Sequence, residues 1–154
     1  MSTIRFKFGD NRTFLIDAAG ILQVSMVKYS HNSNEVINMK NLLVVVDYQK
    51  DFVDGALGFP GAEALDQAIA ARISQYRACG DEVVFTLDTH HGDYVITQEG
   101  KKLPVVHCIE GSEGHKLYGK TAEARLPGDK VFTKNTFGSS QLFEYLYRLP
   151  AFGK

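Results

Sequence analysis

Residues 83–108 read VVFTLDTHHGDYVITQEGKKLPVVHC. An apolar run, Val83 to Leu87, leads directly into Asp88, His90, His91, Asp93, Glu99 and His107. Side chains on an extended segment alternate, so Asp88 and His90 lie on one side of it. A divalent metal needs several such groups converging from a rigid strand end and the loops beyond. Asp88 and His90 supply the strand end, and Glu99 and His107 can fold back to close the set. The residues alone leave two readings open: a metal site, or a solvated polar loop with scattered histidines.

Working outward from this stretch predicts an α/β fold. Leu42 to Val46 is a continuous apolar run of the kind buried on both faces in a parallel sheet, and Asp47 ends it. Asp51 to Gly61 carries Gly55, Gly58, Pro60 and Gly61 and reads as a loop. Ala62 to Cys79 is helical, with Leu65, Ile69, Ile73 and Tyr76 on one stripe and Gly80 as its stop. Val83 to Leu87 then completes a strand–helix–strand unit. Ile109 to Lys120 is glycine-rich and irregular. Lys130 to Thr133 is a further strand with Lys134 at its end. Ser140 to Leu149 is a helix capped by Ser139 or Ser140, with Leu142, Phe143, Leu146 and Tyr147 on its packed face and Pro150 and Gly153 closing it.

Upstream the texture differs. Ile4 to Phe8, Thr13 to Ile16 and Ile21 to Val27 alternate as strands separated by turn residues, a small β-meander. His31 to Asn34 reads as a linker. The chain therefore divides into a β-rich extension, 1–38, and an α/β domain, 39–154. The expected fold is a Rossmann-like parallel sheet with flanking helices, preceded by the meander.

Composition narrows the function. The chain has 154 residues, 44% of them hydrophobic, as in a globular protein. Seventeen Lys and Arg against eighteen Asp and Glu give no reason to expect nucleic acid or an anionic membrane as partner. No apolar run approaches a membrane span, and the first residues lack the apolar core of a signal peptide. A cytoplasmic protein with two free thiols, Cys79 and Cys108, is the expectation.

Asp47, Asp88 and Lys134 fall at the carboxyl ends of three predicted parallel strands, the edge where such sheets place their sites. The segments LLVVVDYQKDFVDGALGFPGAE, VVFTLDTHHGDYVITQEGKKLPVVHCIEGSEGH and VFTKNTFGSS, in that order, resemble the isochorismatase-like cysteine hydrolases, and within them the nicotinamidases. The resemblance runs from Met39 to about Arg148. It implies Asp47 as general base, Lys134 as the lysine of the catalytic triad, and Asp88, His90 and His107 as metal ligands. Glu99 fits the fourth ligand of relatives that have a glutamate there; others use a histidine near the position of Tyr94. Phe52 corresponds to the aromatic that packs on the substrate ring. The implied metal is divalent, zinc first, with iron or manganese compatible. The implied reaction is hydrolysis of nicotinamide to nicotinate and ammonia in NAD salvage, through a cysteine thioester.

One element of that pattern is missing. The family's nucleophilic cysteine lies on the turn after the next strand, beyond Lys154, so the domain reads as C-terminally truncated. Cys79, at a helix end, reads as a buried thiol, and Cys108 points away from the side of His107. His91 and His115 read as surface residues. The expectation is a nicotinamidase-type amidohydrolase by lineage that is inactive as this chain. The alternatives are a non-catalytic metal-binding or interaction module, or an amidase for another small carboxamide. Without the next strand, Leu42–Val46 would have an open edge, which invites association with another copy of the chain or with another partner.

Overall fold

The computed structural model describes the backbone of residues 4–8, 12–16 and 22–26, and residues 41–148 with their side chains. Six strands form one sheet in sequence order: β1 (Ile4–Phe8), β2 (Arg12–Ile16), β3 (Leu22–Met26), β4 (Asn41–Val46), β5 (Glu82–Asp88) and β6 (Lys130–Lys134). β1 to β4 pair antiparallel, and β4, β5 and β6 pair parallel. The helices are α1 (Lys50–Val53), α2 (Asp66–Ala78), α3 (Gln98–Lys102), α4 (Gly119–Ala124) and α5 (Ser140–Arg148).

Alternation on β4 builds the two layers. Leu43 and Val45 pack with Val83 and Phe85 of β5 under Ile69, Ile73 and Tyr76 of α2. Leu42 and Val44 pack on the other face with Val84, Phe132 and Leu146 of α5. A strand buried on both faces has no use for polar residues, which is why it reads Leu-Leu-Val-Val-Val. Its polar residue comes at Asp47, where the backbone turns away with φ +48°.

The α/β order agrees with the sequence reading, and several details differ. Ala62–Leu65 is a 3-10 turn, and the α-helix starts at Asp66. Asp66 is held back to cap α4, accepting hydrogen bonds from the N–H groups of Lys120 and Thr121 and from the Thr121 hydroxyl. The segment 109–120, expected to be irregular, therefore ends in the start of a short helix. Cys79 is exposed rather than buried, because the packed stripe of α2 stops at Tyr76 and Cys79 is the C-cap beyond it. Ser139 does cap α5, its Oγ accepting the Leu142 N–H. The face of α5 is rotated from the expected one: Leu142, Tyr145 and Leu146 meet the sheet, whereas Phe143 and Tyr147 are exposed and stack on each other. Tyr145 is drawn inward because its hydroxyl bonds Glu82 and its ring packs on Phe132.

The edge of β4 is not open. β3 lies along it, with Val24 opposite Leu42 and Leu22 opposite Val44. Edge pairing is satisfied by backbone groups and does not require the partner strand to be apolar on both faces. The expected turns at Gly9–Asn11 and Ala19–Gly20, the linker at His31–Asn34, and Pro150 and Gly153 fall outside the described residues.

Candidate active site and metal centre

The carboxyl ends of β4, β5 and β6 bring Asp47, Asp88 and Lys134 together. In the parallel register Asp88 stands opposite Lys134. Lys134 Nζ lies 2.6 Å from Asp47 Oδ2 and 3.6 Å from Asp88 Oδ1. The other oxygen of Asp47 accepts the Thr86 hydroxyl at 2.6 Å. A largely desolvated ammonium thus sits between two carboxylates, where charge–charge interactions are far stronger than in water.

Beyond β5, Asp88 Oδ2 lies 3.0 Å from His90 Nε2 and 3.3 Å from His107 Nε2. All three residues are buried, and their ligand atoms lie within 4.8 Å of one another. His107 Nδ1 faces the Val105 carbonyl at 2.7 Å. A carbonyl only accepts, so Nδ1 carries a proton, and in the neutral ring Nε2 is the nitrogen with the lone pair. His90 Nε2 is buried without a hydrogen bond, since its approach to Asp88 lacks hydrogen-bond geometry. A buried, unsatisfied ring nitrogen is costly unless an electron-pair acceptor meets it. A cation at this point supplies one, so the residues present fit a divalent metal with nitrogen and oxygen ligands.

Aromatic rings wall the cluster. Tyr94 packs on His90 and His107 at centroid distances of 4.6 and 5.0 Å, and its hydroxyl donates to the Leu103 carbonyl. Burial first, then the charges of Glu99 and Asp88, raise the Tyr94 phenol above its ordinary pKa, so it stays a neutral donor. The Phe52 ring meets His107 edge-on at 5.6 Å. Glu99, on α3, is half-buried and lines a cleft of about 570 Å³ with His90, Tyr94, Asn135 and Phe137; it is not one of the three clustered ligands. Exposed His91 faces Glu110 at 3.5 Å, and half-buried His115 bonds the Thr89 hydroxyl.

Cys108 follows His107, is fully buried and has φ +46°. Burial, then Asp88, Asp51 and Asp47, push its thiol far above the ordinary range; Lys134 offsets this only in part. A thiol held neutral is a poor nucleophile. Sequence reasoning passed over Thr86, Gln49 and Asp51. Buried Gln49 hydrogen-bonds the Asp88 peptide, and Asp51 Oδ2 accepts the Cys108 N–H. Their strict spacing from Asp47, at 49 and 51, was the available signal.

The parallel part of the sheet, β4 to β6, thus carries at its carboxyl edge a carboxylate–lysine pair and three buried residues that could hold a metal. Residues 41–147 match the model of the isochorismatase domain, and the chain belongs to that family. Among solved structures it is similar to the pyrazinamidase/nicotinamidase of Streptococcus mutans, at 27% identity and TM-score 0.57 over 70% of this chain and 65% of that one. The nicotinamidase/pyrazinamidase of Bacillus subtilis gives 27% identity and TM-score 0.55 over 70% and 64%. The pyrazinamidase of Pyrococcus horikoshii, in complex with zinc, gives 28% identity and TM-score 0.50 over 62% and 51%. The chain thus spans between about half and two thirds of the length of these relatives. No curated protein matches it.

Proposed function

We propose that this chain carries the base, lysine and metal part of a nicotinamidase-type cysteine amidohydrolase. The observation that supports this most is the Lys134–Asp47 pair at 2.6 Å, standing 3.6 Å from a carboxylate that also faces two buried histidines. Asp47 is the proton acceptor. Thr86 and Lys134 each hold one of its oxygens, which orients the carboxylate. Lys134 is placed to stabilise a thiolate as well. Phe52 offers its ring to a planar substrate. Asp88, His90 and His107, with Glu99 as a fourth ligand, would hold the metal, zinc first with iron or manganese compatible, and it would supply Lewis-acid polarisation to a ring nitrogen or a water. The zinc in the Pyrococcus pyrazinamidase and the nicotinamidase relatives favour a small aromatic carboxamide as substrate and a place in NAD salvage.

For these 154 residues by themselves, the two thiols favour a second reading: a metal-binding protein without turnover. Cys79 is exposed at the end of α2, and Cys108 is buried among carboxylates that hold it neutral. The test is nicotinamide binding and ammonia release by the zinc-loaded chain. Binding that Phe52→Ala abolishes, with no ammonia above background, is the expected outcome. Turnover that depends on Cys108 would overturn the second reading, and no binding at all would contradict the first.

A further inference from the structure

Two polar residues just after β4, Gln49 and Asp51, have no part in the chemistry above, yet each grips the backbone of a ligand segment. Pairing of β4 with β5 ends at Val46 opposite Thr86, because the chain leaves the sheet at Asp47. Gln49 takes over where the ladder stops. Its Oε1 accepts the Asp88 N–H at 2.7 Å, and its Nε2 donates to the Asp88 carbonyl at 2.9 Å and the His115 carbonyl at 2.8 Å. The side-chain amide thus gives Asp88 the pair of hydrogen bonds that a neighbouring strand would give. Gln49 is completely buried, so no water substitutes for it.

Asp51 does the corresponding work on the other ligand loop. Its Oδ2 accepts the N–H of Cys108 at 2.7 Å, and its Oδ1 accepts the Ala56 N–H. Cys108, next to His107, holds a left-handed φ of +46° that a non-glycine residue adopts only when its surroundings enforce it. Gly114 closes over the carboxylate; a Cβ there would lie 2.0 Å from Asp51 Oδ2. The same loop is stitched to His90, whose N–H donates to the Cys108 carbonyl and whose carbonyl accepts the Glu110 N–H.

We propose that Gln49 and Asp51 are positioning residues of the metal centre: Gln49 fixes Asp88 through both sides of its peptide, and Asp51 fixes His107 through Cys108. The proposal rests on the metal reading of Asp88, His90 and His107. It gives the alternate positions 47, 49 and 51 one shared task, in which the first holds the lysine and the next two hold the ligands.

Cobalt(II) titration of the full chain tests it, because the visible absorption of cobalt reports both affinity and ligand geometry. Gln49→Met removes every polar contact at similar length, Gln49→Glu keeps the acceptor and loses the donors, and Asp51→Asn weakens the grip on Cys108. Partners of this kind typically change metal affinity 10–100-fold, so cobalt binding about 10–100-fold weaker, with an altered band, is expected in both Gln49 variants, and a smaller change in the same direction in Asp51→Asn. Asp66→Asn is the control: it weakens the cap of α4, lowers the melting temperature of the metal-free chain and should keep the wild-type cobalt affinity and band. Wild-type cobalt behaviour in the Gln49 and Asp51 variants would overturn the proposal, as would an equal loss in Asp66→Asn. Should the Gln49 variants not fold, the side-chain amide resonance of Gln49 in the wild-type chain decides: zinc should shift it, and an unmoved resonance would overturn the proposal. Failure of the wild-type chain to bind cobalt would instead remove the metal reading and this inference with it.

Discussion

Replacing Lys134 with methionine leaves two carboxylates facing each other with no cation between them. The Lys134 side chain is 8% exposed, and the carboxylates it touches are 19% exposed at Asp47 and 8% at Asp88. Breaking a buried ion pair by removing one partner costs about 3–5 kcal/mol, because the remaining charge is stranded. A domain has only about 5–15 kcal/mol of net stability, so Lys134→Met should lose a large fraction of it in urea unfolding of the metal-free chain. Removing both charges, in Lys134→Met with Asp47→Asn, should restore part of that loss, giving a coupling of at least about 1 kcal/mol. A loss under about 1 kcal/mol, the range of exposed pairs, or strict additivity in the double variant, would refute the claim that this pair is desolvated and coupled.

Thiol labelling of the native chain near neutral pH should modify Cys79 alone, with Cys108 reacting only after denaturation; mass spectrometry of the labelled peptides reads this directly, and native labelling of Cys108 would contradict its burial and raised pKa. Tyr48 donates its hydroxyl to the Ala62 carbonyl, and burial, followed by the charge of Asp66, raises its pKa to about 12. Because the folded chain favours the neutral phenol, this contribution is complete below about pH 10 and is lost as the pH rises towards about 12; the difference is worth about 2–3 kcal/mol. Tyr48→Phe should therefore lose less stability than the wild type between pH 10 and 12, and parallel melting curves for the two across that window would show the phenol to be irrelevant.

The sheet was legible because burial on both faces leaves a simple trace: Leu42–Val46 is apolar without interruption, Val83–Leu87 is apolar but for Thr86, and each ends on a carboxylate. The convergence of Asp88 with His90 followed from the period of a strand, and the pairing of Asp88 with Lys134 from parallel order. What escaped the sequence reading depends on partners far along the chain. Asp66 caps a helix more than fifty residues downstream, and nothing local marks it. Gln49 serves the backbone of Asp88, 39 residues away, and a backbone partner leaves no pattern of side-chain types. The face of α5 was misjudged by one position because Tyr145 is pulled inward by Glu82, while Phe143 and Tyr147 satisfy the same helical spacing outside. The pairing of β3 with β4 left no trace in the sequence, because the edge of β4 asks only for backbone hydrogen bonds.

Zinc titration of the chain by calorimetry, beside His107→Ala and Asp88→Asn, tests the central claim most directly. The account predicts one zinc per chain, binding that falls by orders of magnitude in both variants, and a rise in melting temperature on zinc addition confined to the wild type. Binding of equal strength in all three chains, or none in the wild type, would contradict it.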